Sequence, residues 1–283
     1  NNRISTQDKN GNVTLYSYDE KDLLTSTTDA LTQTTVNGYD AIDRRISVQD
    51  KKGNQTQYEY DAIGNLIKAT DALSNMNQFT YDPNGNPLSS TNELGLTSQF
   101  GYDQLNRRVS VTDPLGNTTT TAYDALGRII SSTNAKGQST GFVYDALGRL
   151  LEVHDANGGT VSYAYDSNGN RISMTDPNGN TTTYTYDALD RMATQVEPLG
   201  NTTQYQYDAT GNLNQITKPN GRVIQYAYDS LNRLTTVTYP DASTVTFTYD
   251  ANDNRLQLVD SLGTQTYLYD ALNRMTSHVD PYG

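Results

Sequence analysis

The side chains best suited to acid–base chemistry near neutral pH are His154 and His278, the only two histidines of the chain. They stand in different copies of a repeat and neither belongs to a Ser or Cys nucleophile signature, so both read as solvated strand residues. The 32 Asp and Glu residues could supply a paired acid and base. Their aspartates follow a fixed register, however, and a catalytic pair should break a repeat rather than follow it. Asp8-Lys9-Asn10-Gly11-Asn12 and Asp166-Ser167-Asn168-Gly169-Asn170 offer spaced oxygen ligands for calcium. Both lack the remote bidentate Glu and the full loop pattern, which leaves them as turns closed by Asx hydrogen bonds. The sequence thus assigns no catalytic, cofactor-binding or metal-binding residue, and the chain reads as a non-enzyme.

What places these residues is a period. A Tyr-Asp pair begins at residues 18, 39, 60, 81, 102, 123, 144, 165, 186, 207, 228 and 249, a constant spacing of 21, and the last pair, Tyr269-Asp270, comes one residue early. Self-similarity on this scale marks a repeat architecture. Composition does not change along the 283 residues, so residues 1–283 are expected to form one array without a domain boundary, as a segment of a longer protein.

Composition narrows the partners. Net charge is −12 and no basic stripe exists, so phosphate neutralisation has no source and nucleic acid is not an expected partner. With no cysteine, a disulfide framework and a thiolate metal site are both excluded. No apolar run approaches the ~18 residues that would span a bilayer as a helix. Aliphatic residues are sparse, but 22 tyrosines can supply buried area while keeping a hydroxyl in water.

Counting from each Tyr-Asp tyrosine as zero exposes the unit. The fourth position holds Gly (64, 85, 127, 148, 169, 211), Asn (1, 106, 232, 273) or Asp (22, 43, 190, 253), the residues that tolerate a left-handed backbone. The fourteenth is Gly except at Thr32, Ser74 and Ala242. Two corners per repeat imply two strands, and the segments between them alternate with period two. Positions seven (Ile4, Ile46, Val109, Ile172, Leu256) and nine (Val48, Val111, Val153) are expected to face one way. Aromatics two residues before the tyrosines, such as Tyr163, Tyr184 and Tyr205, should share their face. The two aromatic ladders are expected to be core, stacked cross-strand between neighbours. Their reading as a sugar-binding surface is the weaker alternative, because sugar-binding hairpin modules rely on Trp and the chain has none. Twelve of 13 arginines fall at positions five or six, among them Arg44, Arg45, Arg107, Arg128, Arg149, Arg191, Arg233 and Arg274, placed to pair with a corner aspartate of the same or the next repeat. A lone hairpin is marginal, so stability must reside in the stack. About 27 twisted strands should coil into a hollow spiral, shell or tube.

Units such as Tyr123-Asp124-Ala125-Leu126-Gly127-Arg128 and Tyr144-Asp145-Ala146-Leu147-Gly148-Arg149-Leu150 resemble the YD repeats of Rhs proteins, of the cocoon-forming components of bacterial toxin complexes and of teneurins. The resemblance implies an all-β array of about 13 antiparallel hairpins, a ribbon spiralling into a hollow shell. In bacterial members that shell encloses a C-terminal toxin, and in teneurins it belongs to an adhesion receptor. It further implies a secreted or surface-delivered bacterial protein whose partners are the remainder of its own chain, cargo included, with end-to-end self-assembly as a further option. The family's closing core segment, aspartyl autoprotease motif, plug and toxin domain are not found in these residues. Asp113-Pro114-Leu115-Gly116-Asn117, Asp176-Pro177-Asn178-Gly179-Asn180 and Asp280-Pro281-Tyr282-Gly283 look like the autoprotease motif but fall in the corner register, and read as turns. The expected function is a non-catalytic shell wall around a toxin polypeptide. An extracellular fibre or adhesin, with carbohydrate binding as an option, is the alternative.

Overall fold

The strand segments are rich in Thr, Tyr and aliphatic residues that suit a pleated surface, and most are cut off after five or six residues by a corner no strand can pass through. The computed structural model describes residues 2–282; Asn1 and Gly283, assigned above to the fourth and fourteenth positions, lie outside the described residues. It contains 27 strands, from Ser5–Gln7 to Met275–Val279, and no helix among the described residues. Contacts group these into two compact units, residues 1–139 and 140–283, the division falling at the first residue of the strand Ser139–Tyr144. In the first unit consecutive strands pair antiparallel, as where Phe79 faces Ser90 and Ser98 faces Ser90 from the other side. The second unit repeats the scheme, with Tyr205 facing Ile216 and Ile216 facing Ile224.

Both corners of a repeat are the same turn. At Asp208 the main-chain N–H donates to Asn212 O (2.9 Å) while Gly211 N–H donates to Asp208 O (3.1 Å). At Asp176 the corresponding bonds, from Asp176 to Asn180 O and from Gly179 to Asp176 O, measure 2.9 and 3.0 Å. This is a three-residue loop ending in a left-handed residue. Every fourth and fourteenth position among the described residues has positive φ, and that includes Thr32 (63°), Ser74 (68°) and Ala242 (64°). The fold therefore imposes the left-handed conformation even where the side chain opposes it.

The ladders differ. Across the corner opposite Tyr-Asp the register is regular, whereas the hairpin that follows each Tyr-Asp carries a bulge, between Gln206 and Tyr207 for example. The bulge answers a parity problem. Starting from Tyr205, the hydrogen-bonded row runs to Ile216 and on to Ile224, two residues short of the equivalent Tyr226. A regular ladder through 21 residues would make that slip one residue and turn equivalent side chains to opposite faces in successive repeats. The extra residue of the bulge makes the slip two, and the face is kept.

The early Tyr269 obeys the same rule. Its missing residue is taken from the corner, where Asp260 faces Gly263 across a two-residue loop. The row from Phe247 through Leu258 to Gln265 again ends two short of the equivalent Tyr267.

The bulge corrects one expectation. Position seven is the bulged residue and has no cross-strand partner, so Ile46 and Ile172 stay 40 % and 38 % exposed. Position nine carries the packing: Val237, opposite Tyr226, is buried, as are the aromatics Tyr184 and Tyr267. Among the described residues no side chain is fully buried, as a core of half-covered rings requires.

Candidate functional site

The most organised side-chain arrangement runs along the Tyr-Asp corners, and the second unit shows it fully at Arg149. Its Nε donates to Asp145 Oδ2 in its own corner (2.7 Å) and its Nη1 to the main-chain oxygen of Asp166 in the next (2.9 Å). The guanidinium lies 4.9 Å from the ring centroid of Tyr165. The Tyr165 hydroxyl donates to Leu150 O, 2.9 Å away. At this corner one arginine of the preceding repeat takes the ring of the tyrosine and the carbonyl of the aspartate beside it. Arg44, Arg107 and Arg233 make the same set with Tyr60–Asp61, Tyr123–Asp124 and Tyr249–Asp250.

The arginine pairing expected from sequence is therefore present, with a larger role than an ion pair. The ion pair closes the corner; the carbonyl and the ring join one repeat to the next. Arginines at position six serve the other ladder, with Arg45 over Tyr58 and Arg255 over Tyr267. These guanidinium groups and the aliphatic residues at position nine occupy the spaces between aromatics. The expected stacking of ladder ring on ladder ring is replaced by these contacts, and Tyr267 stacks instead on His278, a position-nine residue outside the ladders (4.9 Å between centroids, 16° between planes).

Where position five is Asn, the joint is made differently. Asn170 Nδ2 donates to Asp166 Oδ2 (3.1 Å) and to Asp190 Oδ1 of the next corner (2.7 Å); Asn86 and Asn212 likewise reach Asn106 and Asn232. The short amide cannot reach the main-chain carbonyl, so an acceptor must come out to meet it. Hence Asn at five tends to be followed by Asn or Asp at the next fourth position, whereas Arg44, Arg107, Arg128, Arg149 and Arg191 are followed by Gly. This pairing was readable in the sequence and is missed when each position is tallied alone.

The corner aspartates are hydrogen-bond hubs. Asp8 Oδ1 accepts from the N–H groups of Asn10 and Asn12 (both 2.9 Å) and Oδ2 from Asn12 Nδ2 (3.0 Å). Asp166 is held likewise by Asn168 and Asn170. Both calcium candidates thus use these oxygens as Asx turns. Asp113 and Asp176, the autoprotease look-alikes, do the same with Asn117 and Asn180, and Asp280 accepts from Tyr282 N–H. The Arg149 side chain holds the Asp145 carboxyl below the usual carboxylate value, helped by the Arg149 N–H, and the Asn54 amide does so for Asp50. Burial pushes the Tyr207 and Tyr228 phenols up.

The histidines stay apart. His154 Nδ1 lies 3.0 Å from Thr160 Oγ1 and its Nε2 3.0 Å from Glu152, while His278 Nε2 lies 3.3 Å from Gln265. No cluster of three or more His, Asp or Glu residues suited to a metal occurs among the described residues. What the arrangement does chemically is bind repeat to repeat.

Comparison with known proteins agrees with this geometry. The family model described as RHS Repeat matches nine times, at residues 1–34, 39–75, 81–120, 123–160, 165–202, 193–223, 215–244, 228–265 and 249–283. None of the curated proteins matches the sequence. Among solved structures, the crystal structure of TcdB2-TccC3-TEV superposes with a TM-score of 0.59 at 14 % identity, over 96 % of this chain and 19 % of that one. TcdB2-TccC3 without its hypervariable C-terminal region gives 0.59 at 16 %, over 96 % and 19 %, and TcdB2-TccC3 itself gives 0.55 at 16 %, over 96 % and 20 %. The chain spans about a fifth of the length of those proteins, and at such identities the likeness is one of fold. Repeat spacing, corner geometry and the nine matches together place this all-β chain in the RHS repeat family.

Proposed function

We propose that residues 1–283 act as one repeat array, a non-catalytic wall segment of a β-shell that encloses a polypeptide cargo belonging to its own longer chain, a toxin in a secreted or surface-delivered bacterial protein. The observation that carries this reading is the repeat-to-repeat joint that recurs at the Tyr-Asp corners within each unit, which spends arginines and corner carboxylates on holding a sheet together. The fold likeness to the TcdB2-TccC3 structures supports it. So do the corner-tip leucines, such as Leu126 (77 % exposed), Leu147 (78 %) and Leu199 (90 %), which would be covered where windings of a wall meet. Electron microscopy of the complete natural protein tests the reading: closed ovoids containing density for cargo are expected, and open filaments would overturn it.

A further inference from the structure

In a repeat protein a site with its own chemistry should appear where one copy departs from the others, and a corner of the second unit does so. Asn-x-Thr, with a middle residue other than proline, is the acceptor pattern for asparagine-linked sugars. The chain carries it five times, at Asn12, Asn54, Asn117, Asn180 and Asn201, always with the asparagine at position fifteen and the threonine at seventeen.

In four of the five the asparagine belongs to its own turn. The Nδ2 groups of Asn12, Asn54, Asn117 and Asn180 donate to Oδ2 of Asp8, Asp50, Asp113 and Asp176 at 3.0, 2.9, 2.8 and 2.9 Å. The other oxygen of each carboxylate takes the main-chain N–H of the same asparagine. At the fifth, position eleven is Glu197 instead of aspartate. The main-chain turn is kept, with Glu197 N–H donating to Asn201 O (2.9 Å) and Gly200 N–H to Glu197 O (2.8 Å). The extra methylene carries the carboxylate past the loop N–H groups, and the side chains of Glu197 and Asn201 are exposed and make no hydrogen bond. The side chain of Thr203 makes none either, and Leu199 at the tip of this corner is 90 % exposed.

We infer that Asn201 is an acceptor site for an asparagine-linked hexose, delivered by a glycosyltransferase from a nucleoside-diphosphate sugar. The Asn201 amide nitrogen attacks the anomeric carbon; the new N–C bond replaces the bond from that carbon to the diphosphate oxygen. The nucleoside diphosphate leaves with the bonding pair, and the amide proton passes to a base of the transferase. An amide that already donates to a carboxylate of its own corner must give up a charge-assisted hydrogen bond before an enzyme can take it. That cost falls on Asn12, Asn54, Asn117 and Asn180 and is absent at Asn201. Their pattern follows from the turn, because position fifteen caps an aspartate and position seventeen lies in a strand; at Asn201 the capping reason is gone and the acceptor pattern remains. The inference is independent of the wall proposed above and requires only that this corner be open to an enzyme.

Incubating the intact folded chain with UDP-glucose and a soluble asparagine glucosyltransferase, followed by peptide mass spectrometry, tests it. A hexose should appear on Asn201 at a rate at least tenfold above that on each of the other four asparagines. Glu197→Asp restores the residue that caps the other four and should slow transfer to Asn201 at least tenfold, while Thr203→Val, the residue of Val161 and Val245 at the same position, should abolish it. Both variants carry residues that other repeats already use, so thermal melts should match the parent. A synthetic peptide of residues 197–205 should be glucosylated equally with Glu or Asp at its first position, which assigns the difference to the folded corner. Rejection of the peptide by the transferase, no hexose on Asn201 of the folded chain, equal rates at all five asparagines, or an unchanged rate in Glu197→Asp would overturn the assignment.

Discussion

The two corners of each repeat share a backbone and differ in what the fifth loop residue touches. On the Tyr-Asp side, Arg149 leaves its own corner to grip the next, and Asn170 does so with a shorter reach. On the opposite side Asn117 and Asn180 return to their own aspartates, and Thr112–Thr118 and Thr175–Thr181 bond within one hairpin. Lys51, which pairs with Asp29, is a contact between repeats on that side. The difference teaches that a turn type fixes chain direction and one side chain decides whether neighbouring turns are joined. The joined side uses Arg or Asn at position five in both units. The unjoined side tolerates a lost residue at Asp260–Gly263 and the recesses around Arg222 and Tyr239.

This contrast can be broken most sharply by deletion. Removing Asn180 reproduces the short loop found before Gly263 and should cost no more than about 1 kcal/mol. Removing Thr185 makes Tyr184 and Tyr186 adjacent, so one ring must leave the shared face; a loss of at least about 3 kcal/mol is expected in denaturant unfolding. Equal costs would show that the face rule is not what holds the array.

Next in size is the joint. Arg149→Ala removes a charged hydrogen bond to the Asp166 carbonyl and a ring contact, and should cost about 1–2 kcal/mol, against about 0.5 kcal/mol for Asn180→Ala. A smaller gain is expected on the unjoined side, where Thr32→Gly relieves a β-branched residue held at φ 63° and should raise stability by about 0.5–1 kcal/mol. Melts read in the order Thr32→Gly, parent, Asn180→Ala, Arg149→Ala would support the comparison.

The weakest lever is pH, which acts on both sides together. The corner carboxyls Asp50, Asp113 and Asp145 are held below their ordinary pKa in the folded chain, by Asn54, Asn117 and Arg149 first of all. A folded value below the unfolded one gives stability that is complete above the unfolded pKa and is lost as pH falls through the folded value. The thermal midpoint should therefore be level from neutrality to about pH 5 and fall below about pH 4. A midpoint that rises on acidification would contradict the hub role of these aspartates.

Much of this was legible in the sequence because a repeat tests each position many times. Gly, Asn and Asp at the fourth position foretold the left-handed corner without exception among the described residues. The aspartate turns and the arginine–aspartate pairs were also readable, since each is a contact within five residues. The bulge was not, because Ile46 and Val48 look like any alternating pair until the partner strand shows Ile46 skipped in the ladder.

The sequence by itself determined the hairpins: strand length, corner type and the face of each ring follow from steric rules acting over a few residues. Only the tertiary structure decided how one hairpin meets the next, which arginine covers which tyrosine, and where that meeting leaves a gap. Those outcomes depend on register between strands, and register is set by hydrogen bonding across the sheet, which no single strand contains.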